Sequence, residues 1–365
     1  MHCASLGEFE QGRPLLEEIK RQYPGYKIAL SFFSPSGYEV MKNYTGADLV
    51  FYLPADNMIN AKKLVDDLNP SLVLWVKYEY WYYYLTEIKK RNIPLLLVSG
   101  IFRKNQPFFK WYGGIWKKML ACFDRMFLQD EESVSLMRSI GFKDNIEIAG
   151  DTRFDRVIAI AEKNETVPHI KDFIGTHRVL VAGSTWEEDE IELLHFVKAN
   201  PDLKFIIAPH EIDKENLNDV KKEFKQSVFY SELVAGNKPA DDINVLIIDN
   251  IGMLSKLYQY ADVTFVGGGF GSDGVHNVLE AAVYGKPVVF GPVYEKFTEA
   301  KGLVECGGAV TAGGPLQLES ILRKLFDDHD AFEKSSKASK DFVYNNKGAT
   351  EKIIDHIQRN RLLIN

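Results

Sequence analysis

The fold is decided by residues 262–292, DVTFVGGGFGSDGVHNVLEAAVYGKPVVFGP. The first residues of this stretch are β-branched and aromatic and predict a strand, which stops at Gly267-Gly268-Gly269. A helix is expected to begin at about Val275, and Gly285 ends it before a second strand over residues 287–290. Strand, glycine turn, helix and strand in this order predict a βαβ unit of a parallel sheet.

The glycine turn predicts a nucleotide pocket. Without Cβ atoms, the backbone amides of Gly268 and Gly269 could approach a ligand, and the first N–H groups of the expected helix would seat a phosphate. Asn277 and Glu280 are three residues apart on that helix, where a carboxylate could accept hydrogen bonds from ribose. The alternative is that the glycines only close a tight turn and that Glu280 is a solvated helix residue.

Residues 269–274 match the pattern GxGxxG of dinucleotide-binding folds. That fingerprint also has an acid at the end of the next strand, whereas residues 287–290 run into Gly291-Pro292. A nicotinamide cofactor is therefore disfavoured.

Length and composition limit the possible classes of protein. A chain of 365 residues is too long for one ordinary core and predicts two domains. A net charge of −7 argues against a nucleic-acid partner, which would need a basic face. Three cysteines without CxxC spacing fit reduced thiols in a cytosolic protein. The apolar runs are only strand-length, and Met1 stands so close to a strand-to-helix turn that we expect the native chain to begin earlier.

Strands and helices alternate along most of the chain, which predicts an α/β fold of two Rossmann-like, doubly wound parallel-sheet domains. We expect an N-terminal domain at residues 1–155, an irregular charged linker at 156–176 and a C-terminal domain at 177–345. The segment 346–365 is expected to be a C-terminal helix that packs back on the N-terminal domain.

Residues 101–119, IFRKNQPFFKWYGGIWKKM, interleave aromatic rings with basic residues that include Arg103, Lys117 and Lys118. Aromatic rings settle at the headgroup level of a bilayer while cations meet lipid phosphates, so this pattern is typical of a membrane-contacting surface. An ordinary helix with its rings in the core and its lysines outside explains the pattern equally well.

Ligand residues of open α/β sheets gather at the carboxyl ends of the strands. In this chain those ends carry Ser5, Gly7, Glu8, Glu79, Arg153, Ser184, Thr185, His210 and Gly267–Gly269. The acids of the first domain could supply a catalytic base, and the amides, hydroxyls and histidine of the second could hold a nucleotide. We expect the two sets to face each other across a cleft.

Several motifs together resemble one family, the 3-deoxy-D-manno-octulosonic acid (Kdo) transferases of lipid A assembly, which have the GT-B fold. The resemblance is carried by Ala4–Glu8, Glu79 with Trp81, Gly150–Phe154, Gly183-Ser184, Ala208–His210, Gly274–Glu280 and Gly285–Pro292. It implies transfer of Kdo from CMP-Kdo to the lipid A precursor lipid IVA, with inversion of the anomeric centre and without a metal or other cofactor. It also implies a membrane-associated enzyme at the cytoplasmic side of the cell inner membrane.

The resemblance also implies roles for single residues. Glu8 is the expected general base and Glu79 a second acid that orients Glu8 or the acceptor, although Glu8 at a helix start is also explained by the helix dipole. The residues expected to hold the CMP phosphate, ribose and cytosine are Arg153, Ser184, Thr185, His210, Gly252, Met253, Gly268, Gly269, Asn277 and Glu280. Those expected to meet the acceptor or the membrane are Gly7, Arg103, Lys117 and Lys118.

The chain departs from the family pattern in places. No arginine stands beside His210, which could be a buried structural histidine, Lys77 replaces an acid found in many relatives, and Ala281 replaces a proline. The resemblance implies an N-terminal anchoring segment that does not stand in residues 1–365, so we expect a truncated or a peripheral form. Two alternatives stay open: another GT-B enzyme that uses a UDP-sugar, and a nucleotide-sugar-binding protein without turnover. The acid pairs Asp241-Asp242 and Asp327-Asp328 could bind metal but are predicted to be solvated.

Overall fold

The computed structural model describes residues 1–236 and 243–364, so the acid pair Asp241-Asp242 lies outside the described residues. The chain divides into two compact units. Unit 1 comprises residues 1–156 and 346–365, and unit 2 comprises residues 157–345. Each unit is built on a parallel sheet that has seven strands in the described part of the chain.

The sheet of unit 1 has the order β3-β2-β1-β4-β5-β6-β7, so the first strand lies inside the sheet beside the central strand β4. Its strands are β1 His2–Cys3, β2 Ala29–Phe32, β3 Leu49–Tyr52, β4 Val73–Val76, β5 Leu95–Gly100, β6 Arg125–Leu128 and β7 Ile146–Ile148. The order reverses between β1 and β4, which pair with His2 opposite Trp75. Ligands of such sheets bind at the carboxyl end of this reversal, so residues following β1 and β4 are placed for function.

The helices of unit 1 cover both faces of the sheet. They are α1 Leu6–Gln22, α2 Pro35–Met41, α3 Met58–Leu68, α4 Tyr82–Lys90, α5 Gly114–Leu120, α6 Glu131–Ser139 and α17 Ala349–Arg359. Helix α7 Thr152–Glu162 begins in unit 1 and continues into unit 2. Alternate residues of β5 enter opposite layers: Leu95 and Leu97 pack with α3 and α4, whereas Leu96 and Val98 pack with α1 and α17. A strand buried on both faces explains the uninterrupted apolar run at 95–98.

The sheet of unit 2 has the order β10-β11-β9-β8-β12-β13-β14. Its strands are β8 Val179–Thr185, β9 Lys204–Pro209, β10 Ser227–Phe229, β11 Val245–Ile247, β12 Val263–Val266, β13 Val288–Phe290 and β14 Ala309–Thr311. Its helices are α8 Ile170–Ile174, α9 Glu187–Ala199, α10 Lys214–Glu223, α11 Tyr230–Val234, α12 Leu254–Leu257, α13 Leu279–Ala282, α14 Thr298–Cys306, α15 Pro315–Asp327 and α16 His329–Asn345. The reversal of strand order lies between β8 and β12, beside the glycine turn.

Two expectations about local structure are wrong. The segment 156–176 is not irregular, because it contains most of α7 and the whole of α8. The helix expected from Val275 begins only at Leu279 and has a single turn. Val275 N–H donates to the carbonyl of Val293 and His276 N–H to that of Gly267, and these bonds to neighbouring loops hold the backbone out of a helix. A helix start at Val275 therefore does not provide a phosphate seat.

Among the described residues, no helix combines the length and the hydrophobicity that crossing a lipid bilayer requires.

Candidate active site

Glu8 lies in the first turn of α1, directly after the inner strand β1. The helix begins at Leu6, so Glu8 is its third residue. The backbone N–H of Ser5 donates to Oε2 of Glu8 at 3.0 Å, and the Ser5 hydroxyl contacts the same oxygen. This contact caps the helix and fixes the carboxylate. No described residue donates to Oε1, so that oxygen can accept a proton from a ligand.

Glu79 follows β4 and is half-buried close to Glu8. Burial raises the pKa of the Glu79 carboxyl, and the Glu8 carboxylate raises it further. The nearby Trp81 indole lowers this pKa to a smaller extent, although its N–H forms no hydrogen bond with the described residues. Oε2 of Glu79 has no hydrogen-bond partner among the described residues. Two interacting carboxyl groups thus lie at the strand reversal of unit 1.

Asp151, fully buried after β7, engages Arg153. The Arg153 Nη2 atom lies 2.7 Å and Nε 2.9 Å from Oδ2 of Asp151, to which Gln11 also donates. Burial alone would raise the pKa of Asp151, but Arg153 and then Lys77 outweigh it and hold that pKa below its ordinary value. Arg153 is thus part of an ion pair in unit 1 whose carboxylate is buried, whereas the other residues predicted to hold phosphate belong to unit 2.

The glycines of unit 2 let three loops pack backbone to backbone. A Cβ atom on Gly267 would lie 2.2 Å from the Ser184 carbonyl oxygen, and one on Gly269 would lie 2.5 Å from the Gly291 nitrogen. Gly268 has φ +87°, a conformation that favours glycine. The tight-turn interpretation therefore accounts for these glycines, whether or not a ligand also approaches them.

Asp189 ties two of these loops together. Its buried carboxylate accepts the N–H groups of Gly268 at 2.7 Å and Trp186 at 3.0 Å, and that of Phe270 at 3.4 Å. Burial raises the pKa of Asp189, and these N–H donors oppose the shift. The Gly268 amide is engaged within the protein, which corrects its expected role as a phosphate donor. No described residue accepts from the Gly269 amide.

The two hydroxyls after β8 differ in their surroundings. Thr185 is buried and its hydroxyl donates to Oε1 of Glu190 at 2.7 Å, so the expected contact of Thr185 with phosphate is not available in this arrangement. Ser184 is half-buried and has φ +53°, a left-handed conformation that is uncommon for a residue other than glycine. Such backbone strain often marks a functional loop.

Three rings stack at the carboxyl ends of β8 and β9 and in the loop after β12. The centroid of His210 lies 4.5 Å from Trp186 and 4.5 Å from His276. The Trp186 Nε1–H group donates to Nε2 of His276 at 2.8 Å. Burial and then the nearby His210 lower the pKa of His276 to about 4, and burial also lowers the pKa of His210. His210 is therefore part of a ring cluster rather than an isolated core histidine.

The other predicted nucleotide residues also lie at the carboxyl end of the sheet of unit 2. Asn277 precedes α13 and donates to Oε1 of Glu280 at 3.1 Å, so this pair is in contact although not on one helix. Gly252 has φ +94° in the exposed loop after β11, and Met253 is the N-cap of α12. Asp189, Trp186 and His276 were not among the candidate residues. The sequence offered one indication of their role, because Trp186 and Asp189 stand close to Ser184-Thr185 and His276 stands next to Asn277.

The aromatic-basic stretch is divided between core and surface. Phe102, Phe108 and Met119 are buried, as the ordinary-helix interpretation expects. Trp111, Tyr112 and Ile115, in contrast, are 96%, 52% and 48% exposed, as an interfacial surface would require. Arg103 and Lys118 are exposed with them, Lys117 is partly exposed, and Gly7 is exposed at the start of α1.

Asp328, one of the acid pair Asp327-Asp328, has a structural contact. Its Oδ1 atom accepts the N–H of Ala331 at 3.0 Å and so caps the start of α16. Within residues 1–236 and 243–364, no three His, Cys, Asp or Glu side chains are grouped as a metal site would need.

Solved structures with a similar arrangement define the class of fold. The chain matches UDP-GlcNAc 2-epimerase from Neisseria meningitidis with a TM-score of 0.68 at 14% identity, covering 98% of both chains. It matches MurG from Acinetobacter baumannii with a TM-score of 0.60 at 14% identity, also over 98% of both. The predicted α/β class, two Rossmann-like units of the GT-B type, is confirmed.

Sequence comparisons identify the family that the chain resembles. Residues 1–156 match the family model described as 3-deoxy-D-manno-octulosonic-acid transferase. A 3-deoxy-D-manno-octulosonic acid transferase of Aquifex aeolicus is 28% identical over 85% of this chain and 80% of its own length. A bifunctional glycosyltransferase/methyltransferase of Fusobacterium nucleatum is 29% identical over the whole of this chain, which spans 55% of that protein. The resemblance to Kdo transferases is thereby confirmed, and it supports a glycosyltransferase.

Proposed function

We propose that the protein is an inverting glycosyltransferase that moves Kdo from CMP-Kdo to the lipid A precursor lipid IVA. The observation that carries this proposal is the pair of interacting carboxyl groups, Glu8 and Glu79, at the strand reversal of the unit that matches the Kdo transferase model. A carboxylate with one oxygen fixed and one available is suited to take a proton from an acceptor hydroxyl.

In the proposed reaction Glu8 removes the proton of the acceptor hydroxyl as its oxygen attacks the anomeric carbon of Kdo. The bond from that carbon to the CMP phosphate breaks, and CMP leaves with the electron pair. Glu79, with its raised pKa, positions Glu8 or the acceptor. The residues of unit 2 at the carboxyl ends of β8, β9 and β12 hold CMP as negative charge develops on its phosphate.

Donor choice tests this function directly. By calorimetry we expect CMP to bind more tightly than UDP, and mass spectrometry should show Kdo added to lipid IVA when CMP-Kdo is supplied. The reaction is proposed to need no metal, so EDTA should leave the rate unchanged. A clear preference for UDP would replace this proposal by a UDP-sugar enzyme, and CMP binding without product would indicate a binding protein.

We further propose that the exposed part of the aromatic-basic stretch contacts the cytoplasmic face of the inner membrane, where the lipid acceptor resides. The exposed Trp111 and Tyr112 would lie at the headgroup level, and Arg103, Lys117 and Lys118 would meet anionic lipid.

The double variant Lys117→Glu/Lys118→Glu should bind anionic vesicles about 30-fold or more weakly at low salt, because each cation near such a surface contributes roughly 1 kcal/mol. The measurement is vesicle co-sedimentation, repeated with neutral lipid. Lys171→Glu/Lys225→Glu, at exposed positions of unit 2, is the matched control. If both double variants bound anionic vesicles equally well, residues 101–119 would have no role in membrane contact and would serve only in core packing.

A further inference from the structure

The ring stack contains a hydrogen bond whose direction is fixed by chemistry. An indole N–H can donate but has no lone pair to accept with, so Trp186 must be the donor in its 2.8 Å contact with Nε2 of His276. Nε2 of His276 therefore presents a lone pair, and the neutral imidazole carries its proton on Nδ1. Trp186 selects one of the two tautomers of His276.

The packing around His276 occupies the Nε2 edge of the ring and one ring face. A Cβ atom on Gly268 would lie 2.8 Å from Cδ2 and 3.2 Å from Nε2 of His276, so this edge of the ring is packed against the glycine loop. His210 covers a ring face, and its centroid lies 4.5 Å away. Nδ1 lies on the opposite edge of a partly exposed side chain and has no hydrogen-bond partner in residues 1–236 and 243–364. It is a donor available to a ligand.

Unit 2 needs such a donor if it holds a nucleotide phosphate. None of the predicted nucleotide residues of unit 2 is a lysine or an arginine. Two of the expected neutral donors are already engaged, the Gly268 amide by Asp189 and the Thr185 hydroxyl by Glu190. His276 lies at the same strand ends, and its fixed Nδ1–H group can supply one of the hydrogen-bond donors that a phosphate needs.

We propose that His276, held in the Nδ1–H tautomer by Trp186, donates a hydrogen bond to an anionic phosphate oxygen of the bound nucleotide. His276 is then a ligand-binding residue, and Trp186 is a positioning residue that acts through it. The identity of the nucleotide as CMP rests on the proposed function, whereas the tautomer rests on the Trp186 contact alone.

Two substitutions of similar size separate the ring nitrogens. The side-chain nitrogen of asparagine occupies the position of Nδ1, and that of glutamine reaches the position of Nε2. We expect His276→Gln to weaken CMP binding roughly 10- to 100-fold, as for one hydrogen bond to a charged group, and His276→Asn to bind at least about tenfold more tightly than His276→Gln. Cytidine lacks the phosphate and should not distinguish the two variants. Equal losses of CMP affinity, or the same penalty with cytidine, would overturn the proposal.

The tautomer is tested independently by ¹⁵N NMR of the imidazole groups, with His276 assigned by its loss in the His276→Asn variant. The wild type should show a protonated Nδ1, and Trp186→Phe, which keeps a ring but removes the indole N–H, should show a mixture of tautomers and weaker CMP binding. His195→Gln, at an exposed histidine paired with Glu319, is the control. A protonated Nε2 in the wild type contradicts the proposal. If the wild type prefers UDP, the proposed function fails, and the same variants measured with UDP still decide the role of His276.

Discussion

Replacing Glu8 by glutamine should lower the rate of Kdo transfer by about two to four orders of magnitude, the usual contribution of a general base. Glutamine cannot accept the proton of the acceptor hydroxyl at neutral pH. Its side-chain oxygen can still accept the Ser5 N–H bond that caps α1, so the fold should persist. CMP affinity should stay near that of the wild type, because Glu8 lies in unit 1 and the predicted CMP contacts other than Arg153 lie in unit 2. The measurements are the transfer rate with saturating CMP-Kdo and calorimetry with CMP.

A second variant distinguishes the capping of helix α1 from the proposed catalytic role of Glu8. Ser5→Ala removes the hydroxyl that contacts Glu8 but keeps the carboxylate, and it should cost roughly 0.5–2 kcal/mol of stability with a small loss of rate. Glu18→Gln, in the same helix but paired with Arg21, is the matched control for loss of a carboxylate. Full activity of Glu8→Gln would end the assignment of Glu8 as the base. A collapse of activity in Ser5→Ala equal to that in Glu8→Gln would indicate that capping explains the effect.

The fold class was predictable because its determinants are local. The inner strands of both sheets are largely buried on both faces, so they read as short apolar runs such as residues 95–98, and the alternation with helices then implies parallel pairing. Carboxyl ends of parallel strands meet at one edge, so the sequence could also predict that Ser184, His210 and Gly268 would gather in unit 2.

The errors arose where distant parts of the chain decide the local structure. The backbone at Val275 and His276 bonds to the loops at Val293 and Gly267 instead of forming a helical turn. The Gly268 amide is taken by Asp189, 79 residues away, and Trp186 meets His276 across 90 residues. No pattern within a short window encodes such partners, although Asp189 stands in the acidic first turn of α9. The ion pair of Asp151 and Arg153 was hidden for a different reason: two opposite charges close in sequence do not reveal that the carboxylate is buried.

Replacing Glu190 by glutamine should remove a large part of the pH dependence of stability of unit 2. Glu190 is buried beneath the loop after β8, and burial is the main reason that its pKa rises from the ordinary value of 4.5 to about 7. Between these two pH values the folded protein keeps a proton that the unfolded chain has lost. The free energy of unfolding therefore falls as pH rises through this window, and the difference in pKa corresponds to about 3 kcal/mol. Above pH 7 this contribution is fully lost.

Glutamine has no proton to lose, and its oxygen can still accept the bond from Thr185. Relative to the wild type, the Glu190→Gln variant should thus gain about 3 kcal/mol in its free energy of unfolding between pH 4.5 and pH 8. The measurement is urea unfolding of both proteins across that range, followed through a probe in unit 2, since two units need not unfold together. Glu188→Gln, exposed in the same turn, should show no comparable pH-dependent difference. A constant difference between wild type and Glu190→Gln across this pH range would mean that folding does not raise the pKa of Glu190, so that Thr185 donates to a carboxylate over most of the range.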